Sequence, residues 1–277
     1  GVNTSDLAAE AAKRCIERAG VDPHDIDLVL LATSTPDMPM PATASIVQDR
    51  LGLSALAFDL QAACAGFVFG LITGMQYVAT GCSRLALVIA ADTYSRIINP
   101  DDRQTYPIFG DGAGAVLLAP GTQEQGLLSY AVGSDGSGAE LVCRVMGGSR
   151  LPFGEEAQHD RQRFVTMEGK PVFKWAIRII EDTTRLVLDT ANLSLADIDL
   201  AIMHQANLRI INAAAENLGL PAKKVYNNID RYGNTSAATV ALALDEAYRD
   251  GRVGASDLVL LSGFGGGLAW GTALLRW

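Results

Sequence analysis

The tetrapeptide Asp-Ile-Asp-Leu occurs twice, at residues 25–28 and 197–200. Each copy follows an amphipathic helical pattern and opens an apolar run. Two more segment pairs fall near the same spacing and in the same order. "AFDLQAACAGF" (57–67) matches "VYNNIDRYGNTSAA" (225–238), and "RLALVIAADT" (84–93) matches "DLVLLSGFGG" (257–266). Three ordered pairs predict an internal duplication. Between them, β-branched apolar runs at 26–35, 55–61, 84–93 and 112–120 alternate with helical patterns at 42–52 and 64–81. That alternation predicts βαβ units and largely parallel sheets. The expected architecture is α/β, with two duplicated βαβ-type halves. The first half covers residues 1–125, connecting strands and a loop cover 126–165, and the second half covers 166–277. The chain opens directly on a helix, "NTSDLAAEAAKRCIERAG", with Thr4, Ser5 or Asp6 as N-cap and Gly20 as its stop. A parallel-sheet domain ordinarily starts on a strand, so an N-terminal strand is expected to be missing.

Composition excludes several classes of function. A net charge of −9 lacks the basic face a nucleic-acid partner requires, although an acidic protein can still dock on a local basic patch. The four cysteines, Cys15, Cys64, Cys82 and Cys143, form no CxxC pair and show no metal-ligand spacing, which points to a reducing, cytoplasmic setting. No leader pattern opens the chain, and no apolar run is long enough to span a bilayer. A soluble protein is expected.

The duplication places three reactive side chains at the carboxyl ends of strands, where open α/β sheets bind ligands. Cys64 and Asn234 occupy corresponding strand-to-helix junctions, and His204 follows the strand opened by the second repeat. A thiol at a helix N-terminus is expected to have a lowered pKa, because unpaired N–H groups and the helix dipole stabilise a thiolate. Cys15, Cys82 and Cys143 lack that placement. His24 and His159 lie in polar connections and read as solvated. Asn234 is equally readable as a plain helix cap or as an amide donor. "FGDGAGAV" (109–116) has neither the preceding strand nor the Lys-Ser/Thr of a phosphate loop. "GFGGGLAWG" (263–271) follows a strand, and its glycines permit either an oxyanion hole or a sharp turn.

Taken together, "AACAGF", "HQANLRII", "GNTSAA" and "GFGGGLAWG" closely resemble β-ketoacyl-acyl-carrier-protein synthase III, a condensing enzyme of the thiolase-like fold. The resemblance runs from residue 4 to 277. It implies a layered αβαβα structure and a homodimer. It also implies that Cys64 is acylated by acyl-CoA and that His204 and Asn234 bind the malonyl thioester carbonyl. The N–H groups of Cys64 and Gly266 would then form the oxyanion hole. By the same resemblance, Phe264 packs beside the His-Asn pair, and Arg103, Phe109 and Phe173 line the CoA tunnel or acyl pocket. Asn207 lies at the tunnel wall, and Arg209 faces CoA phosphate or the carrier protein. Lys223, Lys224, Arg249 and Arg252 would extend that patch, or else form solvated helix faces. Met40 stands where relatives place the residue that closes the partner's acyl pocket, and the stretch 143–164 borders that pocket. No cofactor is implied, acyl-CoA being a substrate. The partners implied are acyl carrier protein and its malonyl form, with neither nucleic acid nor membrane. Two other readings remain: a relative that uses longer or specialised acyl-CoA in secondary metabolism, and a Cys-His-Asn thioester hydrolase.

Overall fold

A computed structural model describes residues 1–122, 124–154 and 161–277. β1 (Leu28–Ala32) is buried along its whole length, and its alternate residues enter two different cores. Successive strand side chains point to opposite faces, so a strand buried throughout must be covered on both sides. Val29 and Leu31 face helices α1 (Thr4–Ala19) and α2 (Thr43–Arg50), meeting Ala8, Ala12, Ile16, Ala44 and Val47. Leu28, Leu30 and Ala32 face the other way, onto Phe67, Val68 and Leu71 of α3 (Gly66–Ala79).

In the first sheet β1 is flanked by parallel β2 (Leu56–Leu60) and β3 (Ala86–Thr93), with β4 (Asp111–Leu118) antiparallel at one edge; the order is β2-β1-β3-β4. The second sheet repeats the plan. β8 (Leu200–Met203) runs parallel to β9 (Leu258–Gly265), which pairs antiparallel with β10 (Ala269–Arg276), and β5 (Gly126–Ser134) adds a further strand beside β10. A single parallel bridge, Ala201 to Val225, stands where β2 lies in the first half. Small strands β6 (Val142–Cys143) and β7 (Thr166–Met167) form a separate pair.

The duplication extends to hydrogen bonds. Asp27 N donates to Leu85 O while the Asp27 carboxylate accepts from Arg84 N and Leu85 N. Asp199 N donates to Leu258 O and its carboxylate accepts from Leu258 N. The second aspartate of each Asp-Ile-Asp-Leu repeat therefore ties its strand to the next one in the same way.

Helices α3 and α7 (Ala238–Arg249) share one core between the two sheets. α4 (Gly169–Thr190) and α5 (Leu208–Leu218) cover the outer face of the second sheet through Ala176, Ile180, Ile211 and Ala214. The layers thus run α, β, α, β, α, as the resemblance implies. A short helix, α6 (Ile229–Tyr232), leads into the junction before α7. Among the described residues no helix is long and apolar enough to cross a membrane.

One local expectation needs correction. The cap of α1 is Asn3 rather than Thr4, Ser5 or Asp6, because Asn3 and Asp6 form a reciprocal capping box. Thr4 and Ser5 are instead buried, with Thr4 Oγ1 bonded to Thr35 and Thr93. Gly20 ends the helix in the left-handed conformation, as predicted.

Candidate active site

Each half delivers its strand-to-helix junction to the centre of the molecule, and both junctions contain a non-glycine residue in the left-handed region. Ala63 (φ 47°) precedes Cys64, and Ser236 (φ 53°) follows Asn234 by two residues. Such residues cost roughly 1–3 kcal/mol and persist only where the surroundings impose them. The two junctions meet face to face, with Cys64 Sγ 3.5 Å from Ser236 Oγ.

Cys64 is not the first residue of a long helix, as the sequence led us to expect. It is the middle residue of a 3-10 turn, Ala63–Ala65, and the 14-residue α3 begins at Gly66. The expected lowering of its pKa is also overturned. Burial pushes the thiol up to about 12; the Ser236 hydrogen bond opposes this, while the Asp92 carboxylate adds to it. Desolvation of a buried thiolate outweighs the helix-end stabilisation here.

The floor beneath Cys64 is the end of β9. A Cβ built on Gly265 would stand 2.6 Å from Cys64 N and 3.0 Å from Cys64 Cβ, so only glycine allows this approach. Gly266 follows directly, backed against Val142 O, and the turn continues into β10. The glycine run therefore makes both a sharp turn and a close backbone approach to Cys64. Gly265→Ala is expected to cost about 1–3 kcal/mol through overpacking. Thermal denaturation and the alkylation rate of Cys64 measure the two consequences, lost stability and a displaced thiol.

His204 follows β8 and is 1% exposed. Its backbone N–H donates to Ser262 O, and Nδ1 lies 2.6 Å from Thr239 Oγ1 in the first turn of α7. Gln205 N donates to the same hydroxyl, and when the Thr239 proton in turn bonds Nδ1 the ring proton sits on Nε2. Burial holds the imidazole near 3, against an ordinary 6.5. The unfolded side chain protonates below 6.5 while the folded one stays neutral. Stability is therefore intact above 6.5 and falls as pH drops towards 3, by about 2 kcal/mol at pH 5 relative to pH 7. Chemical denaturation of the wild type and His204→Gln at both pH values tests this, since the variant should lose that component of acid sensitivity.

Asn234 is 5% exposed and bridges to Phe109. Its N–H donates to Ile108 O, its carbonyl accepts from Gly110 N, and its side-chain oxygen accepts from Ser236 N. With that oxygen engaged, the amide NH2 is the group it can present to a substrate. Thr239 N donates to Ser236 O, so the supports of His204 and Asn234 lie on one continuous turn. Phe264 packs edge-on against the His204 ring with centroids 5.0 Å apart, and against Trp175 at 6.2 Å. Among the described residues no cluster of three or more His, Cys, Asp or Glu is arranged to hold a metal.

Family models for 3-oxoacyl-[acyl-carrier-protein (ACP)] synthase III match residues 58–136, and its C-terminal model matches 188–277. The chain is 50% identical to β-ketoacyl-[acyl-carrier-protein] synthase III of Rhodopirellula baltica, with 100% of the chain and 86% of the relative covered. It belongs to the 3-oxoacyl-acyl-carrier-protein synthase III family. The enzyme of the same name from Clostridioides difficile is also 50% identical, over 99% of the chain and 84% of that relative. The crystal structure of 3-oxoacyl-[acyl-carrier-protein] synthase III from Aquifex aeolicus superimposes with a TM-score of 0.92 at 38% identity, covering 100% of this chain and 85% of that one.

The other positions named from the family resemblance are spread more widely. Phe109 stacks on Tyr94 with centroids 4.8 Å apart, beside the Cys64 site. Phe173 packs with the core under α4. Asn207 caps α5 by accepting from Arg209 N, and the Arg209 side chain is exposed. Arg103 lies exposed in the connection between β3 and β4. Met40 is 84% exposed, an unusual state for a large apolar side chain. Of the wider basic patch, Lys224 donates to Ala196 O and Ile198 O, Arg249 pairs with Asp245 at 3.0 Å, and Arg252 donates to Lys223 O. Those cations are occupied locally. His24 is exposed, whereas His159 and the middle of the 143–164 stretch lie outside the described residues.

Three residues of the site escaped sequence reasoning: Asp92, Tyr94 and Ser236. The usable signal was Asp92, a lone charge at the end of the otherwise apolar run "LALVIAADT".

Proposed function

We propose that this member of the family transfers an acyl group, preferentially acetyl, from acyl-CoA to Cys64 and condenses it with malonyl-acyl carrier protein. The reaction starts fatty acid synthesis. Cys64 Sγ attacks the thioester carbon, and the N–H groups of Cys64 and Gly266 hold the oxyanion. After CoA leaves, malonyl-acyl carrier protein enters and loses CO2. The resulting enolate oxygen accepts from His204 Nε2–H and the Asn234 amide. Its carbon then attacks the acyl group on Cys64, releasing β-ketoacyl carrier protein. The chemistry needs no cofactor.

The observation that carries this reading is the state of His204. A buried imidazole held near 3 and tied to Thr239 is a neutral donor. Such a donor stabilises an enolate without delivering a proton that would quench it. The same fact argues against a thioester hydrolase, which needs an imidazole able to take a proton from thiol or water.

Met40, exposed on the single chain, supports a homodimer in which it closes the partner's acyl pocket. Arg209, exposed at the start of α5, supports docking of an acidic carrier protein on an otherwise acidic enzyme. Cytoplasmic residence fits free cysteines and soluble substrates. The test is stoichiometric. On sustained turnover CoA and CO2 should be released in equal amounts, and only when acetyl-CoA and malonyl-acyl carrier protein are both present, whereas acetyl-CoA alone should release at most one CoA per Cys64. Continued CoA release without CO2 would indicate a hydrolase, and faster turnover with octanoyl-CoA would indicate the longer-chain relative.

A further inference from the structure

Asp92 is fully buried at the end of β3, and the chemistry described above does not use it. Its Oδ1 accepts from Thr33 Oγ1 at 3.1 Å, Ser34 N at 2.8 Å and Thr35 Oγ1 at 2.9 Å. Its Oδ2 accepts from Ala237 N at 3.1 Å. The Ser236 hydroxyl lies beside this carboxylate and opposes the rise in its pKa that burial causes. Two strands and the α7 junction therefore converge on one acid that never reaches solvent. Ser236 in turn lies 3.5 Å from Cys64 Sγ and is itself completely buried. Tyr94, likewise buried, adjoins both Ser236 and the thiol. Ser236 Oγ thus neighbours both Sγ and the Asp92 carboxylate, and the next residue, Ala237, anchors this turn to Asp92 through its N–H.

We propose that Ser236 and Asp92 form a proton relay that takes the Cys64 thiol proton during acylation, stores it on Asp92, and returns it when condensation frees the thiol. The proposal rests on the acyl-transfer reading above. As Sγ bonds the thioester carbon, its proton moves to Ser236 Oγ and the Ser236 proton moves to Asp92. The carbon–sulfur bond to CoA breaks, and CoA leaves as a thiolate that is protonated by solvent. Asp92 is then a neutral acid. In condensation the enolate carbon bonds the acyl carbon and the bond to Sγ breaks with its electron pair on sulfur. The stored proton travels back through Ser236 to Sγ. The net proton consumed is the one that ends on CoA.

Two features of the site make such a store necessary. His204 does not hold the proton, and an imidazolium there would quench the enolate. Nor is the thiol already ionised: with a value near 12, only about one thiol in ten thousand is deprotonated at pH 8. A carboxylate whose own affinity for a proton is raised by burial is a suitable acceptor. Ser236 is a positioning and relay group whose left-handed backbone aims its hydroxyl between the two.

Single-turnover acetylation of Cys64 by acetyl-CoA, followed by intact mass across pH 6.5–9, tests the relay in Ser236→Ala, Asp92→Asn and the double variant. Circular dichroism checks folding, and Ser236→Ala keeps the test open if Asp92→Asn does not fold. Among the described residues, the titratable groups acting on the thiol are Asp92 and Tyr94, and His204, in the same site, stays neutral across this pH range. β9, packed on the Cys64 turn, carries no charge, and β10 carries only Arg276 at its far end. The wild-type rate should be nearly flat with pH, because the acceptor is internal. Each single variant should be slower by about 100-fold at pH 7 and should rise with pH, as the thiol must now ionise into solvent. The double variant should be no slower than the slower single one. Rates within twofold of wild type, or additive losses with an unchanged flat profile, would overturn the relay. Iodoacetamide alkylation, mapped to Cys64 because Cys82 is exposed, separates the two readings. A wild-type Cys64 that alkylates but never acetylates refutes acyl transfer, and the relay is then judged on the pH profile of alkylation alone.

Discussion

Cys64→Ser is expected to fold normally and to lose condensation by a factor on the order of 10⁴ or more. The exchange is close to isosteric in a site that already holds a hydroxyl 3.5 Å away, so thermal stability should change little. The chemistry, by contrast, changes completely. A serine hydroxyl is a far weaker nucleophile and a far weaker acid than a thiol, and the imidazole does not activate it. His204 is tied to Thr239 and held near 3. The acyl adduct should therefore be absent from the intact mass, while the Ser variant still binds CoA. Acylation of Cys15, Cys82 or Cys143 in the variant would show that a different thiol carries the group.

His204→Ala is expected to lower condensation by about 100- to 1,000-fold, the cost of one preorganised donor to a developing oxyanion. Acylation of Cys64 should be much less affected, because the thiol's hydrogen-bond partners are Ser236 and Tyr94 rather than the imidazole. The split between the two half-reactions is the informative result. It is read by following acetyl adduct formation and its discharge by malonyl-acyl carrier protein separately. The wild-type rate of discharge should show no inflection between pH 5 and 8 from His204, which stays neutral throughout that range. Equal losses in both half-reactions would instead assign His204 the role of base for Cys64.

Much of the architecture was legible because the repeat carries it. The two Asp-Ile-Asp-Leu copies mark equivalent strand starts, and the strands they open, β1 and β8, are fully buried runs, which require helices on both faces. Cys64, His204 and Asn234 could be grouped because the sequence reads each as standing at the carboxyl end of a strand; in the structure Cys64 and His204 follow β2 and β8, whereas Asn234 follows α6 and only a single bridge stands for its strand. What escaped were partners supplied from distant parts of the chain. Asp92 gathers donors from residues 33–35 and 236–237, and no local pattern announces that convergence. The error in the Cys64 pKa has the same origin. A helix N-terminus is visible in sequence, but complete burial of the thiol beside a second buried acid is a property of the packed halves. The Asn3 cap was missed because Thr4 and Ser5 are good caps in isolation, yet both are drawn into the core by Thr35, Thr93 and Asp37.

The central claim is that Cys64 carries the acyl group between two carbon skeletons. The most direct measurement is the intact mass of the wild-type protein after acetyl-CoA, then after malonyl-acyl carrier protein. The account predicts a gain of one acetyl group on Cys64 that persists in buffer, disappears when malonyl-acyl carrier protein is added, and reappears as acetoacetyl carrier protein. An adduct that hydrolyses equally fast without the malonyl substrate, or one located on another residue, would contradict it.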